Sequence, residues 1–158
     1  MTTDKTEGND TTSIDVGLLV ARATAALQNA YAPYSGYPVG AAVLADDGHV
    51  YTGSNIENAV YPLTICAERV AITKAISEGA QHILAVAVAT ENGGTPCGSC
   101  RQVMQEFGAR TMPVFIARTD GNYRQRTLEE LLPEGFSATD LTVSRSESGD
   151  SKEKASRD

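Results

Sequence analysis

Three cysteines and one glutamate carry the chemistry legible in this chain. Cys66 stands two residues before Glu68, and Cys97 and Cys100 form a Cys-x-x-Cys pair behind Pro96. These are the only 3 cysteines in 158 residues. Three thiolates can occupy three corners of a zinc tetrahedron and leave the fourth for water. Glu68 is placed to move that water's protons. Zn2+ held by three thiolates is left with a net negative charge, which weakens its power to acidify water. A compensating cation is therefore expected. Arg69 lies three residues after Cys66, on the same face if the segment is helical. Arg101 follows Cys100 directly. One or both should donate hydrogen bonds to ligand sulfurs.

Other readings of the same residues compete. A lone Cys-x-x-Cys can be a thioredoxin-like redox pair or half of a structural zinc knot. A knot wants a fourth protein ligand, and no fourth cysteine exists. His49 and His82 are the 2 histidines, and neither stands at motif spacing; both read as structural. Cys66 alone would read as a small core residue. A redox pair, however, has no need of Cys66 or Glu68.

The elements that must bring these residues together follow from periodicity. Thr12 or Ser13 can cap a first helix with Asp15 in its first turn, and Ile14, Leu18, Ala21 and Ala25 recur at helical spacing. Pro33 ends it, and the segment 32–38 is a loop. Val39 to Ala45 is a small-apolar run suited to a doubly buried strand, and Asp46-Asp47-Gly48 turns it into a second strand at 50–52. A helix spans about 66–78, with Gly79 at its C′ position. Ile83 to Ala89 is a central strand. A helix over 98–107 turns Val103, Met104 and Phe107 inward. Strands at 114–117 and 123–125 and a short helix at 128–132 complete the chain. The order predicts an α/β fold of three α/β/α layers on a mixed five-stranded sheet. Cys66 and the Cys97/Cys100 pair then open two helices, whose N-termini favour thiolates.

The composition narrows the setting. The chain is 41% hydrophobic and carries a net charge of −7. Such acidity argues against a nucleic-acid backbone as partner. No apolar run approaches membrane-spanning length, and the polar N-terminus lacks a secretory h-region. An odd number of cysteines is a poor disulfide framework, which fits a reducing cytoplasm. Residues 1–11 read as a disordered arm and 144–158 as a disordered tail, leaving 12–143 as one domain.

The pattern Cys-x-Glu…Pro-Cys-x-x-Cys resembles the zinc deaminase signature with Cys in place of the first His. More broadly, the chain resembles the small, homotetrameric class of cytidine deaminases over nearly all of 13–143. The likeness rests on APYSGYPVGAA at 32–42, TGSNIENA at 52–59, CAERVAI at 66–72, PCGSCRQV at 96–103 and LLPEGF at 131–136. It implies one Zn2+ per subunit, held by Cys66, Cys97 and Cys100. It also implies hydrolysis of cytidine and 2′-deoxycytidine to uridine and 2′-deoxyuridine with release of ammonia, as in pyrimidine salvage. Zinc would activate the water that attacks C4, with Glu68 as proton shuttle.

By the same resemblance, Asn55 and Glu57 grip the sugar, and the Ala67 N–H meets the pyrimidine O2. Tyr61 lies near a subunit boundary, and Phe136 reaches a neighbour's site and packs on the base. Without the motif, Asn55 and Glu57 would read as an Asx-type turn. Position 37 is usually Phe in this family; here Tyr37 keeps the ring near the substrate and adds a hydroxyl that needs a partner or water. A related deaminase of another aminopyrimidine, such as a blasticidin-type nucleoside, would share the core. The Asn55/Glu57 pair favours an ordinary sugar.

Overall fold

The structure, a computed structural model, describes residues 14–141. The expected arm and tail and the caps Thr12 and Ser13 lie outside the described residues. The elements are α1 (Val16–Ala26), β1 (Gly40–Ala45), β2 (Val50–Ser54), α2 (Ala67–Ser77), β3 (Ile83–Thr90), α3 (Gly98–Phe107), β4 (Pro113–Arg118), β5 (Tyr123–Thr127) and α4 (Leu128–Leu131), with 3-10 turns at Leu27–Asn29 and Tyr61–Leu63.

Asp15, expected in the first turn, is the N-cap of α1, its carboxylate accepting the Leu18 N–H at 2.9 Å. A short acceptor just ahead of the helix satisfies a donor that the helix leaves orphaned. The buried stripe of α1 also differs from expectation. Leu19, Val20, Ala23 and Ala26 face the sheet, while Leu18, Ala21 and Ala25 are exposed. Alanines on both sides let two stripes fit the helical period, and the sheet takes the one that adds Val20 to a leucine.

The sheet order is β2-β1-β3-β4-β5. β1 runs antiparallel to both β2 and β3, β3 and β4 are parallel, and β5 returns antiparallel to β4. The α2 crossover thus leaves β2 and β3 pointing the same way with β1 between them. The sheet is mixed and five-stranded, as the sequence predicts.

Its two faces are packed by alternate residues. On one side Ala41, Val43, Val86, Val88, Val114 and Ile116 meet Ala67, Ala71, Ile72 and Ala75 of α2 and Cys100 and Met104 of α3. On the other Ala42, Ala85, Ala87, Ala89, Phe115 and Ala117 meet Leu19, Val20 and Ala23 of α1. Burying Ile72 completely is worth about 2 kcal/mol, and the small residues opposite it let α2 lie close to the strands. Gly53 sets the nearest approach: a Cβ there would stand 2.5 Å from the Ala67 carbonyl oxygen and 2.6 Å from the Ala71 nitrogen.

Candidate metal centre and substrate cavity

β2 and β3 end, and β1 begins, at one end of the sheet, and the starts of α2 and α3 meet there. Cys66 is the N-cap of α2 and Cys97 the N-cap of α3, each without a side-chain cap bond. A sulfur caps a helix poorly, so the first-turn N–H groups keep no side-chain acceptor and the positive end of each helix lies beside its thiol. Cys100, one turn into α3, is buried. The Sγ atoms of Cys66 and Cys97 are 3.9 Å apart, those of Cys97 and Cys100 3.4 Å, and all three lie within 4.8 Å of one another. Tetrahedral zinc with Zn–S bonds of about 2.3 Å requires sulfurs about 3.8 Å apart. The three residues fit the ion in chemistry and in spacing.

The electrostatics agree. Hydrogen bonding with Cys100 and then the Arg69 guanidinium hold the Cys66 thiol down, to about 5. Cys100 is pushed up by the same sharing of a proton with Cys66 and by burial. Arg69 extends its Nη2 to the Thr64 carbonyl oxygen at 2.9 Å and to Cys66 Sγ at 3.7 Å. Arg101, the other expected sulfur donor, is used differently. Its Nε donates to the Pro96 carbonyl at 2.7 Å, its Nη1 to the Leu131 carbonyl at 2.7 Å and its Nη2 to Thr95 Oγ1 at 3.2 Å. None of these partners is a sulfur: Arg101 fastens the approach to Cys97 onto α4.

Glu68 occupies a core-facing position of α2 between Ala67 and Ala71, with 4% of its surface exposed. Burial, and then the charge on Cys66, push its carboxyl above the usual range. It shares a cavity of about 200 Å³ with Cys66, Cys97, Asn55 and Tyr37. Val39, Thr64, Val88 and Thr90 form further parts of the walls, with Gly94 and Thr95 beside Cys97. These six were not singled out from sequence; Thr90, a hydroxyl ending an otherwise apolar strand, offered the one visible signal.

Asn55 and Glu57 arrive on a loop stitched to its surroundings by backbone bonds. Ile56 and Ile65 exchange both N–H···O bonds, and Tyr31 pairs with Asn55 and Glu57 on either side. Asn55 accepts the Val39 N–H on Oδ1 and donates from Nδ2 to the Tyr37 carbonyl, both at 2.9 Å. One amide N–H and one lone pair remain for a ligand. Glu57 instead borders an adjoining cavity of about 400 Å³ with Tyr34, Ser35, Tyr61 and Thr64. Its carboxylate accepts the N–H groups of Tyr34 and Ser35 and, in a short bond, the Ser35 hydroxyl, which holds its pKa down. Thr64 is common to both cavities.

Tyr61 and Phe136 stand outside the smaller cavity, 69% and 58% exposed. Phe136 is nonetheless fixed at its backbone. Gln102 donates to its carbonyl at 2.6 Å and accepts its N–H at 3.2 Å, and Gln105 adds a second donor at 3.1 Å. Ala67, fully buried, is the first residue of α2, where a backbone N–H has no partner within the helix.

A buried carboxyl beside three thiols at zinc spacing is the set of groups that the class of zinc hydrolases requires. Within that class the comparisons are narrower. Residues 16–116 match the family model described as "Cytidine and deoxycytidylate deaminase zinc-binding region". Cytidine deaminase from Sporosarcina psychrophila is 47% identical over 131 residues, covering 82% of this chain and 96% of the relative. That from Halalkalibacterium halodurans is 45% identical over 130 residues, covering 81% and 98%. The crystal structure of cytidine deaminase from Burkholderia pseudomallei is 42% identical, with a TM-score of 0.74, and covers 78% of this chain and 100% of that one. The chain belongs to the cytidine deaminase family, and Zn2+ is its cofactor.

Proposed function

We propose that the protein hydrolyses cytidine and 2′-deoxycytidine to uridine and 2′-deoxyuridine, releasing ammonia, in pyrimidine salvage. The observation that carries this reading is the buried Glu68 carboxyl sharing one small cavity with Cys66, Cys97 and Asn55. Cys66, Cys97 and Cys100 would hold one zinc per subunit, and the ion would supply activation of a water for attack at C4 of the pyrimidine.

The chain's own groups do the rest. Glu68 takes a proton from the water, delivers it to N3, and then serves the departing amine. Its burial supports this, because desolvation raises the carboxyl above its ordinary value and makes it a better proton acceptor. The free N–H and lone pair of Asn55 suit ribose hydroxyls. The Glu57 carboxylate, with three of its roughly four acceptor sites taken by the 34–35 loop, has one left for the sugar. The Ala67 N–H at the start of α2 suits the pyrimidine O2, and the Tyr37 ring packs beside the base. Arg69 offsets the negative charge of the thiolate set.

The active form is a homotetramer with shared sites. Val60, Tyr61, Leu63 and Ile65 are exposed along one loop, and Phe136 is held rigidly with its ring outside its own cavity. Such a loop and ring are partner surfaces. The substrate is a free nucleoside rather than nucleic acid, and unpaired cysteines fit the cytoplasm. No helix among the described residues is long and apolar enough to cross a membrane. The test is a zinc assay on the purified protein with the loss of cytidine absorbance. One zinc per chain and conversion to uridine are expected; bound zinc without turnover of either nucleoside would sink the assignment.

A further inference from the structure

We propose that Tyr37 is a positioning residue: its hydroxyl, anchored on Asn92, ties the nucleoside loop to the loop that carries Cys97 and keeps substrate and metal ligand in register. The proposal rests on the deaminase reading and deepens it.

Tyr37 is held from both sides of the site. Its backbone belongs to the sugar side: the N–H donates to Ser35 Oγ at 3.1 Å and the carbonyl accepts from Asn55 at 2.9 Å. Ser35 in turn donates to Glu57. Its side chain belongs to the metal side, where the hydroxyl donates to Asn92 Oδ1 at 2.6 Å. Thr90 Oγ1 donates to the same oxygen at 3.3 Å and accepts the Gly94 N–H at 2.6 Å. The directions are mutually consistent. An amide oxygen takes two donors, and the threonine hydroxyl gives one bond and receives one.

Gly94 carries the complementary mark. A Cβ at this position would stand 2.6 Å from the Tyr37 hydroxyl oxygen, so the loop backbone is shaped around that oxygen. On its far side the same loop is fastened by Arg124, donating to the Gly93 carbonyl at 3.0 Å, and by Arg101 on Pro96. The Tyr37–Asn92 bond is the tie that joins this loop to the nucleoside loop, beside the cavity that Tyr37 and Gly94 line. A phenyl ring would supply the packing beside the base but not this tie.

The experiment is a double-mutant cycle of Tyr37→Phe and Asn92→Leu, with Asn92→Asp as the conservative variant that keeps the acceptor oxygen. Steady-state kinetics on cytidine are read together with hydrogen exchange at the Gly94 amide. Removing one hydrogen bond that sets register should lower kcat about fivefold, while KM changes less because the ring remains. Asn92→Leu should match it, the double variant should be no worse than either single, and Asn92→Asp should stay close to the parent. Gly94 exchange should quicken in both single variants. Additive losses, or parental kcat in Tyr37→Phe, would overturn the proposal. A parent that does not deaminate cytidine would overturn the functional reading instead. In that case parental Gly94 exchange in Tyr37→Phe would separately refute the tie, and faster exchange would uphold it.

Discussion

The Arg69 guanidinium reaches Cys66 Sγ at 3.7 Å and is steered there by its 2.9 Å bond to the Thr64 carbonyl. A cation fixed in this way draws charge from a thiolate without displacing it as a ligand. Arg69→Ala should therefore lower kcat about tenfold while most of the zinc stays bound, because charge-assisted bonds are about twice as strong as neutral ones. Metal analysis beside turnover numbers checks this. Parental turnover in the variant would show that the sulfurs need no such partner.

Glu68 makes the sharper case. Glu68→Gln keeps the shape and removes the proposed proton carrier, so activity should fall by about 10²–10⁴-fold with zinc stoichiometry intact. Deamination at the parental rate by a zinc-loaded variant would remove Glu68 from the mechanism.

Gly53 reports on the seating of α2. The methyl of Gly53→Ala would press on the Ala67 carbonyl oxygen and the Ala71 nitrogen, and overpacking of this kind costs about 1–3 kcal/mol. Thermal unfolding followed by circular dichroism should show a lower Tm. Activity should fall with it, since α2 carries Glu68. An unchanged Tm would mean that the helix can slide away freely.

The β1–β2 hairpin supplies a pH signature remote from the site. The Tyr51 hydroxyl donates to Asp47 at 2.6 Å, which holds the Asp47 carboxyl below its ordinary value and raises Tyr51 to about 12. The depressed carboxyl stabilises the fold above its unfolded pKa, and that contribution is lost as pH falls through the folded value. The raised phenol contributes below its unfolded pKa and loses that contribution as pH rises towards about 12. Tyr51→Phe should accordingly lower Tm at neutral pH, and the gap to the parent should narrow in acid. Melting curves from about pH 3 to pH 8 decide the acid side. A gap constant across that range would count against the pair.

The grouping of Cys66, Cys97 and Cys100 was legible because each stands at a helix start marked by its local pattern, and the strands ahead of those helices finish at one end of the sheet. The layering and the mixed, five-stranded character of the sheet followed from hydrophobic runs and crossovers. Two features were not legible, for a common reason. The buried stripe of α1 was ambiguous because alanine marks no side, and the side-chain use of Arg101 depended on where α4 would lie. Both are decided by tertiary neighbours rather than by spacing. The hydroxyl of Tyr37 was an intermediate case: its need for a partner could be read, but Asn92, 55 positions away, could not.

α3 follows its N-cap Cys97, carries Cys100 in its first turn, and further along grips Phe136 with Gln102 and Gln105. A single short rod thus joins two of the proposed zinc ligands to the ring offered to the neighbouring subunit in the proposed tetramer. Were loading one end to stiffen the other, metal affinity and subunit affinity would have to be reciprocally linked. Chelation should promote dissociation into smaller species, and dilution to monomers should loosen zinc. Sedimentation at matched protein concentrations, with and without chelator, would reveal the coupling, and identical profiles would refute it.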